Sequence, residues 1–340
     1  MPGTVFVTDP THTAHFALRH PERPERLEAI VAQLEERALR HRMTERPPRE
    51  ATDEELRTVH EAALLATVER AAARGASLDA DTYTTPQSLA IARRSAGALL
   101  VAVEAVLAGE ATNGFVATRP PGHHATPGRA MGFCLFNNVA VAATAALQSG
   151  VERLAIVDWD VHHGNGTQAV FIDDPRVLYI STHAAPFYPG TGEVREVGAG
   201  NAHGTNVNIP LPHGTGDAGF VAAWEQVAVA ALDRHRPDLI LASSGWDAHA
   251  RDPLGTLNVT TAGYTRAAEV VLDAARRLSG GRFIATLEGG YDTHALAWCA
   301  SALVELLLGD TPTPDPEPGD VPAGDPLDAV IRESREAIGL

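Results

Sequence analysis

Asp158, Asp160, His162 and His163 follow directly on an apolar run, Ala155 to Val157, and precede a Gly-Asn-Gly turn. On an extended backbone, side chains two apart point the same way. Asp158, Asp160 and His162 can therefore share one face while Trp159 and Val161 take the other. An Asp-x-His pair offers an oxygen and a nitrogen to one point, which suits a divalent metal such as zinc, and carboxylate-imidazole sets accept iron(II) as well. Taken alone, the triplet is more often a strand end rich in turn formers. Its company changes that. With Asp247 as a third ligand, two carboxylates and one imidazole neutralise a divalent cation and leave room for water and substrate. His123 and His124 follow a Pro-Pro-Gly turn, so one can take a proton from the attacking water while the other stabilises charge or donates a proton. Asp158 and Asn165 are available to hold their second ring nitrogens. Tyr291, after Gly-Gly, offers a phenol to an oxyanion. Together these parts make a metal-assisted amide hydrolase.

The elements that must position these residues alternate. From residue 111 onward the pattern is apolar strand, polar cluster, helix. NGFVATR leads into PPGHH; RLAIVDWD into His162; RVLYIS into THAAPFYPGTG; PDLILASSG into Trp246 and Asp247; GRFIATLEGG into Tyr291. Helical periodicity fills 138–148, 218–234, 261–278 and 295–308. This alternation predicts an α/β fold with an open, mostly parallel sheet covered by helices on both faces, whose site gathers at the carboxyl ends of the strands. Before it come a short strand at Thr4–Val7 and helices within 20–36, 53–73 and 86–107. Singly, each polar residue reads as a cap, a turn or a loop aromatic. Jointly, five strand ends supplying a complete hydrolytic set point to one active site. Residues 1–310 are expected to form a single domain, followed by a proline-rich acidic linker at 311–326 and a helix at 327–340.

The 340-residue chain has 44% hydrophobic residues, enough for a substantial core, and a formal charge of −16. All 27 of its Lys+Arg bases are arginine. An acidic chain disfavours nucleic-acid backbones and attracts cationic peptides or polyamines, although solubility alone also explains such a charge. Two cysteines, Cys134 and Cys299, are too few for a disulfide framework. No basic-then-apolar leader and no apolar run near the ~20 residues of a membrane span is visible, so a cytoplasmic protein without a membrane partner is expected. Its oligomeric state is open.

Six blocks carry a family resemblance: RPPGHHA (Arg119–Ala125), GFCLFNN (Gly132–Asn138), DWDVHHGNGTQ (Asp158–Gln168), FYPGTG (Phe187–Gly192), GWDAHARDPLG (through Gly255) and EGGY (Glu288–Tyr291). The chain resembles the histone deacetylase family over roughly residues 20–308. HPERPER near the N-terminus, Asn165 and EGGY make it most similar to the class II branch and to bacterial amidohydrolase and acetylpolyamine amidohydrolase members. The resemblance implies an arginase-like open α/β fold. It also implies Asp160, His162 and Asp247 as zinc ligands, His124 as general base and His123 as electrostatic partner. Asp158 would orient His123, Asn165 would back His124, and Tyr291 would polarise the acyl carbonyl. Gly132, Phe133 and Tyr188 would line a narrow tube, with Tyr188 standing where phenylalanine is usual. Asp81 would hold substrate backbone at the rim, and Arg26 would lie near an internal cavity below the metal. A structural potassium ion would use Asp158, Asp160, His162, Ser181 and Thr182.

An acylated lysine has a flexible apolar stem ending in an amide, which aromatic walls leading to a metal select without reading charge. Some polyamine-specific relatives carry an acid where this chain has Leu254, so leucine favours acyl-lysine in proteins or peptides. Acetylpolyamines or other small acylated amines are the alternative, with Asp81 and Asp79 as the rim acids. From a different class, a non-catalytic acyl-lysine-binding module would be expected to lose one of His124, Tyr291 or the ligands. A ureohydrolase resembling arginase would want a two-metal site.

Overall fold

The computed structural model describes residues 3–317 and 327–340. Eight strands form one sheet: β1 (Gly3–Thr8), β2 (Thr44–Arg46), β3 (Ala111–Ala117), β4 (Leu154–Asp158), β5 (Val177–Ala184), β6 (Asn206–Leu211), β7 (Leu239–Ser244) and β8 (Phe283–Leu287). Their order is β2-β1-β3-β8-β7-β4-β5-β6, and every strand pairing is parallel. The expected open α/β sheet is thus borne out.

Alternation along the strands builds two cores. Val5, Val7, Ile156 and Leu241 pack on one face beneath helices Ser88–Leu107 and Asn138–Gln148. Phe6, Phe115, Ala155 and Val157 pack on the other beneath Glu25–Glu36, Thr261–Leu278 and Thr293–Leu308. Strands buried on both faces read as continuous apolar runs, which is why they are visible in the sequence. The chain reverses direction of travel across the sheet, inserting β7 and β8 between β3 and β4. The crevice at that switch point is where α/β sheets hold ligands.

The helix expected over 53–73 is two helices. Asp53–Leu56 opens on a capping box from Thr52 and Glu55, and Ala62–Arg74 follows after a break. Between them His60 turns inward. Its Nε2 accepts from Asn137 N at 2.9 Å, which places the proton on Nδ1 for Thr126 O at 3.0 Å. A tertiary bond overrides local helical period here. The segment over 218–234 is helical throughout but widens into a π turn at Trp224–Ala228, where Trp224 is fully buried. The edge strands β2 and β6 carry too little apolar pattern to be foreseen. Pro210 in β6 is tolerated because that strand is an edge.

Residues 311–317 run against the body. Thr313 N donates to Glu305 Oε2 at 2.8 Å, and the Asp315 carboxylate accepts from Thr261 Oγ1 at 2.6 Å. The remainder of the expected linker, 318–326, lies outside the described residues. Helix Asp328–Ala337 docks through Ile331 and Ser334, the latter donating to Asn208 O at 3.3 Å. Among the described residues, no helix is long and apolar enough to cross a membrane.

Candidate active site

Four strands adjacent in the sheet, β3, β8, β7 and β4, deliver the two histidines, Tyr291 and the candidate metal donors at their carboxyl ends; β5 beside them carries Ser181 and Thr182 and leads to Tyr188, and Asp81 comes from a loop before β3. β4 ends at Asp158, so strand alternation does not carry through His162. Instead the chain turns: Asp158 faces His123, while Asp160 and His162 meet Asp247. His162 Nδ1 lies 3.0 Å from Asp160 Oδ1 and 3.2 Å from Asp247 Oδ2. One donor atom from each of the three falls within 4.8 Å of the other two.

Backbone amides hold both carboxylates, and each turns one oxygen, Asp160 Oδ1 or Asp247 Oδ2, towards His162 Nδ1; Asp160 Oδ1 also accepts from His162 N at 2.9 Å. Asp160 Oδ2 accepts from Gly289 N at 2.8 Å, and Asp247 Oδ1 accepts from Val161 N at 2.8 Å. Asp247 Oδ2 has no hydrogen-bond partner although it is buried; its approach to His162 lacks hydrogen-bond geometry. A buried orphan carboxylate oxygen beside an imidazole nitrogen and a second carboxylate is the donor set a divalent cation satisfies. The residues fit the ion. Their closeness demands glycine nearby: a Cβ at Gly289 would stand 2.0 Å from Asp247 Oδ2, and one at Gly245 would stand 2.0 Å from Asp160 Oδ2.

The two histidines have different second partners. His123 Nδ1 donates to Asp158 Oδ2 at 3.0 Å, and the same oxygen accepts from Tyr179 Oη at 2.9 Å. Burial works against its charge, but the carboxylates of Asp158, Asp160 and Glu288 outweigh it and hold His123 well above the ordinary histidine range. His124 Nδ1 donates to Asn165 Oδ1 at 2.8 Å, leaving Nε2 with a free lone pair. Burial, then the neighbouring His123 and His162, hold it well below the ordinary range. The surroundings thus pull two imidazoles with ring centroids 4.1 Å apart in opposite directions, which suits one to accept a proton and the other to carry charge.

A cavity of about 240 Å³ descends to these groups. Asp81, Gly132, Phe133, Tyr188, Leu254 and Tyr291 all line it, as do His123, His124 and His162. Tyr188 is half-exposed at the mouth, edge-on to His124 at 5.2 Å. Gly132 has φ +57°, and a Cβ there would meet His124 Cδ2 at 2.5 Å. Ser181 pairs in register with Asp158 across β4 and β5, and Thr182 Oγ1 is buried without a partner.

Several working residues escaped the sequence. Phe187 stacks on His162 at 5.2 Å and 14° and lines the cavity beside Tyr188; only the second aromatic of FYPGTG drew notice. Glu288 accepts from Gly122 N at 2.6 Å and His123 N at 3.2 Å, fixing the histidine turn. Glu22 accepts from Arg119 Nε and Nη2, each at 2.6 Å, and from Arg26 Nη1 at 3.2 Å. Arg26, fully buried, donates in turn to Gly290 O at 2.6 Å and Glu288 O at 2.5 Å. One ionic cluster thus ties the histidine turn to the Tyr291 loop. HPERPER was the available signal.

That cluster sets an acid limit on the fold. Burial opposes ionisation of Glu22, but Arg119 prevails and brings it from 4.5 down to about 2. A carboxyl depressed in the folded state stabilises above its unfolded pKa, and that contribution disappears as pH falls from 4.5 towards 2. Glu22→Gln should lower stability at pH 6–7 by about 3 kcal/mol, because Arg119 stays buried with its charge uncompensated. The gap between the two proteins should close as pH falls through that window. Denaturant titrations at pH 7 and pH 3 check this; a constant gap contradicts it.

The histone deacetylase domain model matches residues 20–307. The chain belongs to the histone deacetylase family. A histone deacetylase-like amidohydrolase of Pseudomonas aeruginosa is 42% identical over 296 residues, 86% of this chain and 78% of that one. The human polyamine deacetylase HDAC10 is 40% identical over 308 residues, 86% of this chain but 45% of that longer protein. The crystal structure of the HDA15 HD domain superposes with a TM-score of 0.89 at 36% identity, covering 99% of this chain and 95% of that one. Family and donor chemistry together make the chain a hydrolytic deacetylase.

Proposed function

We propose that the deacetylase removes acyl groups from N-ε-acyl-lysine in proteins or peptides, with zinc held by Asp160, His162 and Asp247. A zinc ion held there supplies Lewis acidity to the acyl carbonyl and to the attacking water. His124 Nε2, its lone pair free, accepts the proton as the water oxygen adds to the carbonyl carbon. Tyr291 donates a hydrogen bond to the oxygen on which negative charge develops. His123, kept charged by Asp158, stabilises that charge and supplies the proton with which the lysine nitrogen leaves. The carbon–nitrogen bond breaks to give a carboxylate and an amine.

The reading rests on one observation: the His124 imidazole, backed by Asn165, and the Tyr291 phenol line one aromatic-walled cavity, which His162 joins to the three-donor cluster behind it. Phe187, Phe133 and Tyr188 suit a methylene stem, and Asp81 at the mouth suits the amides on either side of a lysine. We further propose that a monovalent cation sits among Asp158, Asp160, His162, Ser181 and Thr182; the unpartnered Thr182 hydroxyl supports this. Iron(II) would satisfy the same three ligands.

Leu254 separates protein from polyamine substrates. Leucine at this place gives no partner to a second ammonium, and Asp81 on the rim is taken by substrate amides in this reading, so kcat/KM for an acetyl-lysine peptide should exceed that for N-acetylputrescine. Leu254→Glu should raise kcat/KM for N-acetylputrescine about tenfold by charge pairing while lowering it for the peptide. A wild-type preference for N-acetylputrescine would overturn the acyl-lysine assignment. Zinc-loaded protein that binds acyl-lysine and leaves it uncut would make the chain a reader.

A further inference from the structure

The loop 288–291 carries the Tyr291 phenol, and the loop 252–255 carries Leu254 at the cavity mouth. One buried carboxylate, that of Asp252, joins them across 39 residues to Tyr291. Asp252 Oδ1 accepts from Leu254 N at 2.9 Å and Gly255 N at 3.2 Å. That half is an ordinary side-chain turn and needs only one oxygen. The second oxygen is what the turn does not explain: Oδ2 accepts from Tyr291 N at 2.6 Å and Asp292 N at 3.2 Å.

The peptide unit between Gly290 and Tyr291 is consequently gripped at both polar ends. Its N–H goes to Asp252, and its carbonyl oxygen takes the Arg26 Nε hydrogen bond at 2.6 Å. Both bonds are charge-assisted and buried, hence strong. Rotating this peptide would break both at once. Gly290 itself has φ +113°, a conformation open to glycine, so its own backbone sterics fix this peptide less than they would at another residue. The Arg26 guanidinium also lies over the Tyr291 ring at 4.8 Å.

We infer that Asp252 is a positioning residue that locks Tyr291 towards the reacting carbonyl and makes the Leu254 mouth and the phenol one mechanical unit. The inference rests on the deacylase reading, in which Tyr291 polarises the carbonyl. Asp252→Asn keeps the shape but turns an NH₂ group towards two backbone N–H donors. Whichever pair the NH₂ faces loses its acceptor, so the bridge between the two loops is broken in either orientation.

The test is a double-mutant cycle in zinc-loaded protein with an acetyl-lysine peptide. D252N should lower kcat about 10- to 100-fold, as a misplaced group does, with KM changed by less than about threefold. In a Tyr291→Phe background the same change should cost less than about twofold, because the group it positions is gone. Independently of turnover, amide hydrogen exchange at Tyr291 and Leu254 should accelerate together in D252N. Losses that multiply in the double variant, an unchanged kcat, or unchanged exchange at Tyr291 overturn the inference. If D252N does not fold, D252E, whose carboxylate is displaced by one methylene, is carried through the same cycle and exchange measurement with the same deciding outcomes. An inactive wild type would sink the deacylase reading, while the exchange measurement would still decide the lock.

Discussion

Tyr291→Phe is expected to lower kcat on an acetyl-lysine peptide by roughly 100- to 1,000-fold, the usual loss for one oxyanion donor. The ring is held independently of its hydroxyl: it lies edge-on to Phe133 at 5.9 Å and beneath the Arg26 guanidinium. Phenylalanine therefore keeps the packing and removes one hydrogen bond. Zinc content should stay at the wild-type level, because Tyr291 is not among the three donors. KM should move little, since the bond strengthens chiefly as charge develops on the carbonyl oxygen. A trifluoroacetyl-lysine substrate, whose carbonyl is already electron-poor, should lose less. A variant that raises KM and leaves kcat intact would remove Tyr291 from the chemistry.

Much of the sheet is legible because fully buried parallel strands must be apolar from end to end. RLAIVD and PDLILASS announce themselves, whereas the exposed edge TER and the proline-bearing NVNIPL do not. The candidate metal donors and the His123-His124 pair are legible for another reason: residues suited to meet a ligand are chemically distinctive, whatever surrounds them. Groups whose partners are distant in the chain leave no such trace. Glu22 is 97 residues from Arg119, Asp252 is 39 from Tyr291, and the Glu288 carboxylate meets the amides of Gly122 and His123 and the hydroxyl of Ser243. Any acidic residue in a loop looks like these three until the fold closes around it. His60 is similar, since the helix break it imposes depends on an amide 77 residues away.

Asp247→Ala should abolish both zinc binding and turnover, the larger of the two losses, by roughly three orders of magnitude or more in kcat/KM. The carboxylate has two functions. Oδ1 fixes Val161 N, and so the turn that brings His162 to Asp160. Oδ2 is the oxygen with no protein partner, aimed into the cluster. Alanine removes both, leaving one carboxylate and one imidazole, too few for a tetrahedral site with an open position. Asp247→Asn separates the functions, since an amide oxygen can still accept from Val161 N while the anionic ligand is gone. It should fold like the wild type and still hold less than a tenth of its zinc after dialysis, on the order of the affinity loss that even outer-shell changes produce. Metal analysis and a melting curve on the same samples decide the matter. Full zinc in the folded asparagine variant would mean that the ion binds elsewhere, and the orphaned oxygen would then need another explanation. Chelation of wild-type protein, followed by restoration with zinc or iron(II), tests the same site from the metal's side.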